Sequence, residues 1–289
     1  MLPIGGPFST GQSILSGQGR NLGDSFAGEV DTFLTSRSSL TLVGGYTLLH
    51  YFESGLLDFD GFNFRAGYNY LLTRKDTFSV SYTFGGFRYS NYQQSIDSHT
   101  AQVSYGRRVT GRLAFQVAAG PQILISHLPI TGGNGSLSGV GVGSNYTRIY
   151  WSLNSALSWE SGRTRLGLSY NHGATGGSGI LAGAITDVAT GSATRQVSRT
   201  FSNGINVGYA RNKGLIDTNP TPTSRIYNYW FVGASLAHPM GRAMGVTLSY
   251  QMQNQDSYAT SCLGPSCGTD VIRHVITVGV GWHEHPLAF

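Results

Sequence analysis

Residues 61–86 read GFNFRAGYNYLLTRKDTFSVSYTFGG, and this stretch decides the fold. Phe62, Phe64, Ala66, Tyr68, Tyr70 and Leu72 take every second position, with Asn63, Arg65, Gly67 and Asn69 between them. After the polar step Thr73-Arg74-Lys75-Asp76 the alternation restarts. Phe78, Val80, Tyr82 and Phe84 then lie on one side, and Thr77, Ser79, Ser81 and Thr83 on the other. A period of two marks a strand, because successive side chains leave opposite faces of the pleat. Two such runs joined by a few polar residues predict a β-hairpin. The strands are about 10 to 14 residues long, where about five or six is usual in a soluble sheet. One face is aromatic-rich and the other is small and polar rather than charged. That two-sidedness suits a membrane-spanning β-barrel, with lipid outside and water or packed polar groups inside.

The totals agree. Only 11% of the 289 residues are charged, against about 25% in soluble proteins. Hydrophobic residues make up 40% and no run approaches the length of a transmembrane helix, which takes about 18 or more apolar residues. Gly (41 residues) and aromatics (12%) are abundant, as expected where two unlike faces average out. The start, Met1-Leu2-Pro3-Ile4-Gly5-Gly6-Pro7, has neither the basic beginning nor the apolar core of a secretory signal. The chain is therefore expected to be a mature or truncated form, or one whose start codon is misplaced.

Outward from the central hairpin, the same unit repeats: strand, short turn, strand, long loop. Strands are expected at 24–35 and 38–51, 98–109 and 112–128, 146–160 and 164–171, 184–197 and 200–212, 224–238 and 244–255, and 271–282. The short turns pair Gly or Ser with Arg, as in YGRRVTGRLAFQVAAG and LAHPMGRAMGVTLSYQ. A propeller has a similar period but needs four short strands per unit. Thirteen strands are counted, and a poor candidate at 8–16 makes 14, an even number as in single-chain bacterial barrels. The expected architecture is thus an all-β, antiparallel, up-and-down barrel of about 14 strands (12–16). Residues 1–23 form an N-terminal segment and 24–289 the barrel. Long loops are expected at 129–145, 173–183, 213–223 and 259–270, and any of them folding inward would constrict the lumen.

These hairpins, the Gly/aromatic strands and the terminal Phe289 resemble the outer-membrane β-barrel proteins of Gram-negative bacteria. The resemblance covers residues 24–289. Gly279, Trp282 and Phe289 fit in part the terminal signal such proteins present to the assembly machinery. His283-Glu284-His285-Pro286 departs from it, because Pro286 breaks strand pairing. The resemblance implies the bacterial outer membrane as location, its lipids and lipopolysaccharide as surroundings, and short turns on the periplasmic rim.

Cys262 and Cys267 flank a Gly-Pro turn and are read as a loop-closing disulfide, the alternative being free thiols or a metal half-site. Of the 19 Lys and Arg, Arg37, Arg74, Lys75, Arg107, Arg108, Arg112, Arg163, Arg165, Arg195, Arg199 and Arg242 sit at or beside short turns. They form either an anion-attracting periplasmic rim or interfacial side chains snorkelling to headgroups. Arg65 and Arg273 are expected to face the lumen, giving a mild anion preference or pairing with inward carboxylates such as Glu29 and Asp31. Other lumen positions are small and polar, among them Ser79, Ser81, Thr83, Ser104, Gln116, Ser152, Asn154, Thr247 and Thr277.

Fourteen strands with such a lining leave open space. The leading expectation is a passive, porin-like channel for small polar solutes. The alternatives are a non-conducting surface barrel whose loops bind a partner or polysaccharide, and the membrane component of exopolysaccharide export. Catalysis is not expected. Ser169-Tyr170-Asn171-His172 and Asp97-Ser98-His99 carry no catalytic motif, and strand alternation produces such neighbours often. His283 and His285 lack a third metal ligand in sequence, so no metal or cofactor is expected. A ring of bases without stacking aromatics gives no nucleic-acid surface. Oligomerisation stays open, because an apolar stripe for subunit contact reads like one for lipid.

Overall fold

A computed structural model of the chain describes residues 20–52, 58–90, 94–127, 145–177, 182–215, 226–240, 244–258 and 270–282. Over these residues the alternating segments become antiparallel strands in chain order. They are β1 (Asn21–Thr35), β2 (Ser38–Tyr51), β3 (Phe59–Leu71), β4 (Asp76–Tyr89), β5 (Gln94–Arg108), β6 (Leu113–His127) and β7 (Asn145–Ser161). There follow β8 (Thr164–Gly177), β9 (Ala182–Gln196), β10 (Ser202–Gly214), β11 (Ile226–Met240), β12 (Met244–Tyr258) and β13 (Asp270–Trp282). Each pairs with the next, giving one 13-stranded up-and-down sheet without crossovers. No α-helix occurs among the described residues. The expected strand at 8–16, Cys262, Cys267, Arg242 and the tail 283–289 lie outside them.

Three of the short turns share a device that residue patterning alone did not single out. Thr73 Oγ1 accepts the N–H groups of Lys75 and Asp76 at 3.1 Å each. Thr110 Oγ1 does the same for Arg112 and Leu113, and Ser198 Oγ for Thr200 and Phe201. A hydroxyl that caps two backbone donors stands in for a turn hydrogen bond. The β7–β8 turn instead uses Gly162 at φ 57°, a left-handed conformation that suits glycine.

The register sorts the side chains into two faces. Phe64, Phe84, His99 and Ile123 are successive partners across β3–β6. So are Gly67, Ser81 and Gln102 on the opposite face. Ser81, Ser98, Thr100, Ser104, Gln122 and Ser126 are buried, whereas Val80, Tyr82, Val103 and Ile123 are exposed. The buried face is the inner one. The sheet curls far enough for the Tyr89 hydroxyl on β4 to donate to the Gly176 carbonyl on β8.

One ladder is incomplete. β7 and β8 pair from Ser161↔Thr164 to Leu153↔His172 and stop. β7 runs on to Asn145 beside β6, and β8 runs on to Gly177 beside β9. Between those ends the two strands part, and the end of β8 turns inward. Ala174 N–H donates to Gln122 Oε1 of β6 at 2.8 Å. Gly176 sits where a Cβ would come within 2.5 Å of the Phe59 ring and 2.8 Å of Phe87. This corrects the expected end of the strand at 171 and the loop from 173. The glycine-rich segment has no alternation to read, yet its backbone pairs with β9 from Gly173↔Thr186 to Gly177↔Ala182.

Candidate functional site

The inner face is the first candidate site, and it is built from short polar side chains bonded to one another. Asn69 Nδ2 donates to Thr41 Oγ1 at 3.0 Å, and Thr41 Oγ1 donates to Asp31 Oδ1 at 2.5 Å. Gln102 Nε2 donates to Ser152 at 2.9 Å, and Gln122 Nε2 to Ser98 at 3.0 Å. Thr186 Oγ1 donates to Asn212 Oδ1 at 2.8 Å. Several buried amide donors on this face, those of Gln94, Asn212 and Gln253, have no protein partner among the described residues.

Near the long loops the interior changes character. Tyr89, Ile96, Leu124 and Leu215 form a buried apolar cluster, with Phe59, Phe87, Tyr150, Ala174 and Ile185 packed against it. The register explains how so many strands meet. Ile96 and Leu124 belong to the inner face of β5 and β6, while Ile185 and Leu215 lie on the outward-facing series of β9 and its neighbour β10. The inward turn of β8 brings those outward positions against the inner face. Arg148 Nη1 on β7 donates to the Leu215 carbonyl at 3.3 Å, and Leu215 N–H to the Gly183 carbonyl at 3.1 Å. Gly183 has φ 78°, and a Cβ there would meet Ile96 Cδ1 at 2.5 Å.

The outer face carries an apolar belt edged by polar pairs. Tyr46, Tyr82, Tyr170, Tyr209 and Tyr250 each bond a polar group on the next strand, one row nearer the long loops. Their partners are Asp60 at 3.1 Å, His99 at 2.6 Å, Asp187 at 2.8 Å, Asn228 at 3.1 Å and His274 at 2.9 Å. Below this row stand exposed aliphatic side chains, including Val80, Val103, Leu168, Val207, Leu248 and Val278. Aromatic residues return towards the short turns with Tyr70, Phe78, Phe201 and Trp282. Tyrosines with a wet end and an apolar body belong at a membrane–water boundary.

The residues singled out from sequence fall as follows. Glu29, Asp31, Arg65 and Arg273 all lie on the inner series of positions. Arg65 Nη2 reaches Ser81 Oγ at 3.5 Å, two strands away from Asp31. Arg37, Arg74, Lys75, Arg112, Arg163 and Arg199 are in the short turns, and Arg108 ends β5. Part of this rim is paired: Arg107 with Asp76 at 3.6 Å and Arg165 with Glu160 at 2.8 Å. At that rim, outside the apolar belt, hydrogen bonds from Thr73 and Tyr105 hold the Asp76 carboxyl below its usual range.

The two sequence neighbourhoods weighed for catalysis separate in space. Ser169 bonds Thr190, whereas His172 bonds Asp187 at 2.6 Å on the opposite face. Ser98 accepts from Gln122 inside, whereas His99 bonds Tyr82 outside. No cluster of three His, Cys, Asp or Glu that would hold a metal occurs among the described residues. Tyr170, His172 and Asp187 form the polar group that sequence reading passed over. Its third member lies across a strand pair, and only the register joins it to the other two.

No protein-family model matches the chain, and no curated protein does. Solved structures align with most of the chain at low identity. The in-vitro folded OmpT of Vibrio cholerae aligns over 91% of this chain and 95% of its own, at 10% identity and a TM-score of 0.42. The CymD monoaromatic hydrocarbon channel aligns over 92% and 88%, at 9% identity and a TM-score of 0.37. OmpT expressed in the outer membrane aligns over 91% and 97%, at 12% identity and a TM-score of 0.35. At such identities and scores the strand ladder itself, rather than the likeness, describes this fold.

Proposed function

We propose that this protein is an outer-membrane β-barrel whose polar interior passes small polar solutes in the manner of a porin, through a mouth narrowed at the long-loop end. The observation that carries the reading is the two-sidedness of the whole sheet. Exposed aliphatic side chains bordered by tyrosines cover the outer face, and Ser, Thr, Asn and Gln line much of the inner one, beside an apolar patch of Val188, Ala210, Tyr229 and Phe231 on β9–β11. Lipid on one side and water on the other is the setting in which both faces are stable. Arg65 and Arg273 on the inner series bias the path towards anions. The narrow point is the apolar cluster around Ile96, Leu124 and Leu215.

The test is conductance of the refolded protein in a planar bilayer with a salt gradient. Small current steps with anion preference are expected. Replacing Ile96, which is 0% exposed, by Ser is expected to enlarge them by wetting the constriction. The apolar cluster also supports a second reading, a non-conducting surface barrel that acts through its loops. A folded, membrane-inserted protein that passes no current, either as parent or as Ile96→Ser, would establish that second reading.

A further inference from the structure

The outer face holds a feature that a smooth barrel wall does not need. Successive outward positions of β9 are Ala189, Gly191 and Ala193. Leu168 and Tyr170 rise beside them from β8, and Val207 and Tyr209 from β10. The result is an apolar groove of about 620 Å³ crossing β6 to β11, within the roughly 300–1,000 Å³ typical of ligand sites. A Cβ on Gly191 would stand 3.3 Å from Leu168 Cδ2 and 3.3 Å from Val207 Cγ2, so even a small side chain there begins to fill it.

The groove has a polar end. One step along β9 from Ala189 comes Asp187, bonded by Tyr170 and His172 at 2.8 and 2.6 Å. Arg211 stands opposite Asp187 in the β9–β10 ladder, and Lys213 is the next outward residue on β10. Both cations are exposed, so one carboxylate faces two fixed positive charges. Independently, the β7–β8 ladder ends at His172↔Leu153, in the same row. This is the one interior ladder among the described residues that opens well before its strands do. Trp151 and Ile149, each 73% exposed, flank the open side, and the apolar cluster with Tyr150 and Ala174 lies behind it.

We infer that the groove holds the alkyl chain of a single-chain amphiphile with a carboxylate head, the chain lying along β9 and the head against Arg211 and Lys213. The small side chains of β9 match a chain without branches. The excess positive charge at one end selects an anionic head, which stays at the polar row instead of entering the apolar belt. The open β7–β8 seam places this site beside the interior, so the amphiphile sits where the wall is already parted. The inference rests on the membrane reading above.

The experiment is quenching of tryptophan fluorescence by 12-bromododecanoate, with 12-bromododecanol as the neutral probe. The protein is inserted in phosphatidylcholine vesicles, and Trp159 and Trp282 are replaced by Phe to leave Trp151 and Trp230. Saturable quenching by the carboxylate is expected. Gly191→Leu is expected to weaken it about tenfold. Arg211→Gln is expected to weaken carboxylate binding several-fold and leave the alcohol unchanged. Ala189→Leu serves where Gly191→Leu does not insert. Quenching that merely tracks the probe's mole fraction means that phospholipid tails occupy the groove, and it overturns the site. Unchanged binding in both groove-filling variants overturns it as well, and equal response of the two probes to Arg211→Gln overturns the anionic head. A dimer by light scattering with no saturable quenching means that a second copy covers the face. Normal insertion without binding sinks this site alone, whereas failure to insert sinks the membrane reading.

Discussion

The β4–β5 and β7–β8 ladders start from similar material and end differently. β4 and β5 stay paired along their shared length, from Asp76↔Arg107 to Tyr89↔Gln94. β7 and β8 are joined only from Ser161↔Thr164 to Leu153↔His172, though both strands continue. Each ladder starts at the short-turn rim, though only β7 and β8 are joined there, and each carries large apolar residues outside. What differs is the far half. In β4 and β5 it still alternates, with Tyr82, Phe84 and His99 outside and Ser98 and Thr100 inside. In β8 it is His172-Gly173-Ala174-Thr175-Gly176-Gly177, which has almost no side chain to hold it in the wall. Alternation keeps a strand in place because a slip or turn would bury polar groups and expose apolar ones. A segment of Gly and Ala pays no such penalty. It goes where its backbone finds hydrogen bonds and where small volume is needed, which here is the interior beside Phe59 and Phe87.

The sharpest break of this contrast is a control on the regular half. Gly120 on β6 lies against the Ala101 carbonyl, where any Cβ would collide with backbone. Gly120→Val is expected to cost about 3 kcal/mol or more, and refolding yield and denaturant midpoint should both collapse. Gly44→Val, with nothing within 4 Å of a Cβ, should refold like the parent. The next effect is on the parted half. Gly176→Leu drives a side chain into the Phe59 and Phe87 rings and is expected to cost about 2–3 kcal/mol. Its signature would be faster amide exchange at 173–177 with β4–β5 unchanged. Equal loosening of both ladders would refute the view that the inward turn of β8 is a local arrangement.

A smaller effect is expected from Gln122→Ala. Gln122 donates to Ser98 and accepts from the Ala174 N–H, so its loss leaves one part-buried backbone donor unmade, worth about 1 kcal/mol. Exchange of the Ala174 amide should accelerate well beyond that of its neighbours in β9. If it does not, the Gln122 bond is incidental and the β8 end is held by packing alone.

Most of the architecture was legible in the chain. The alternation of residues 61–86 and its repeats place the strands to within a few residues, because a sheet with one apolar and one polar face leaves a period-two pattern with few exceptions. Face assignments follow from the same pattern, which is why Glu29, Asp31, Arg65 and Arg273 fall together on the inner series. The partners of Arg65 and Asp31 did not follow, since Arg65 reaches Ser81 and Asp31 bonds Thr41. Partner choice depends on which residues stand opposite in a ladder, and turn length sets that register.

By itself, then, the sequence determined the thirteen described strands, their order, the two faces and the placing of basic residues at the short turns. These are local properties of period and punctuation, and a hairpin repeat needs no distant information to form. Only the tertiary structure decided three other things: where the β7–β8 pairing ends, that Tyr89, Ile96, Leu124 and Leu215 meet across the interior, and that His172, Asp187 and Arg211 share one row, with Tyr170 bonding Asp187 from the row beside it. Each depends on how a twisted sheet curls back on itself. Curl is set by the summed volumes of side chains on strands far apart in sequence, among them the glycines whose missing Cβ atoms let β8 pass inside.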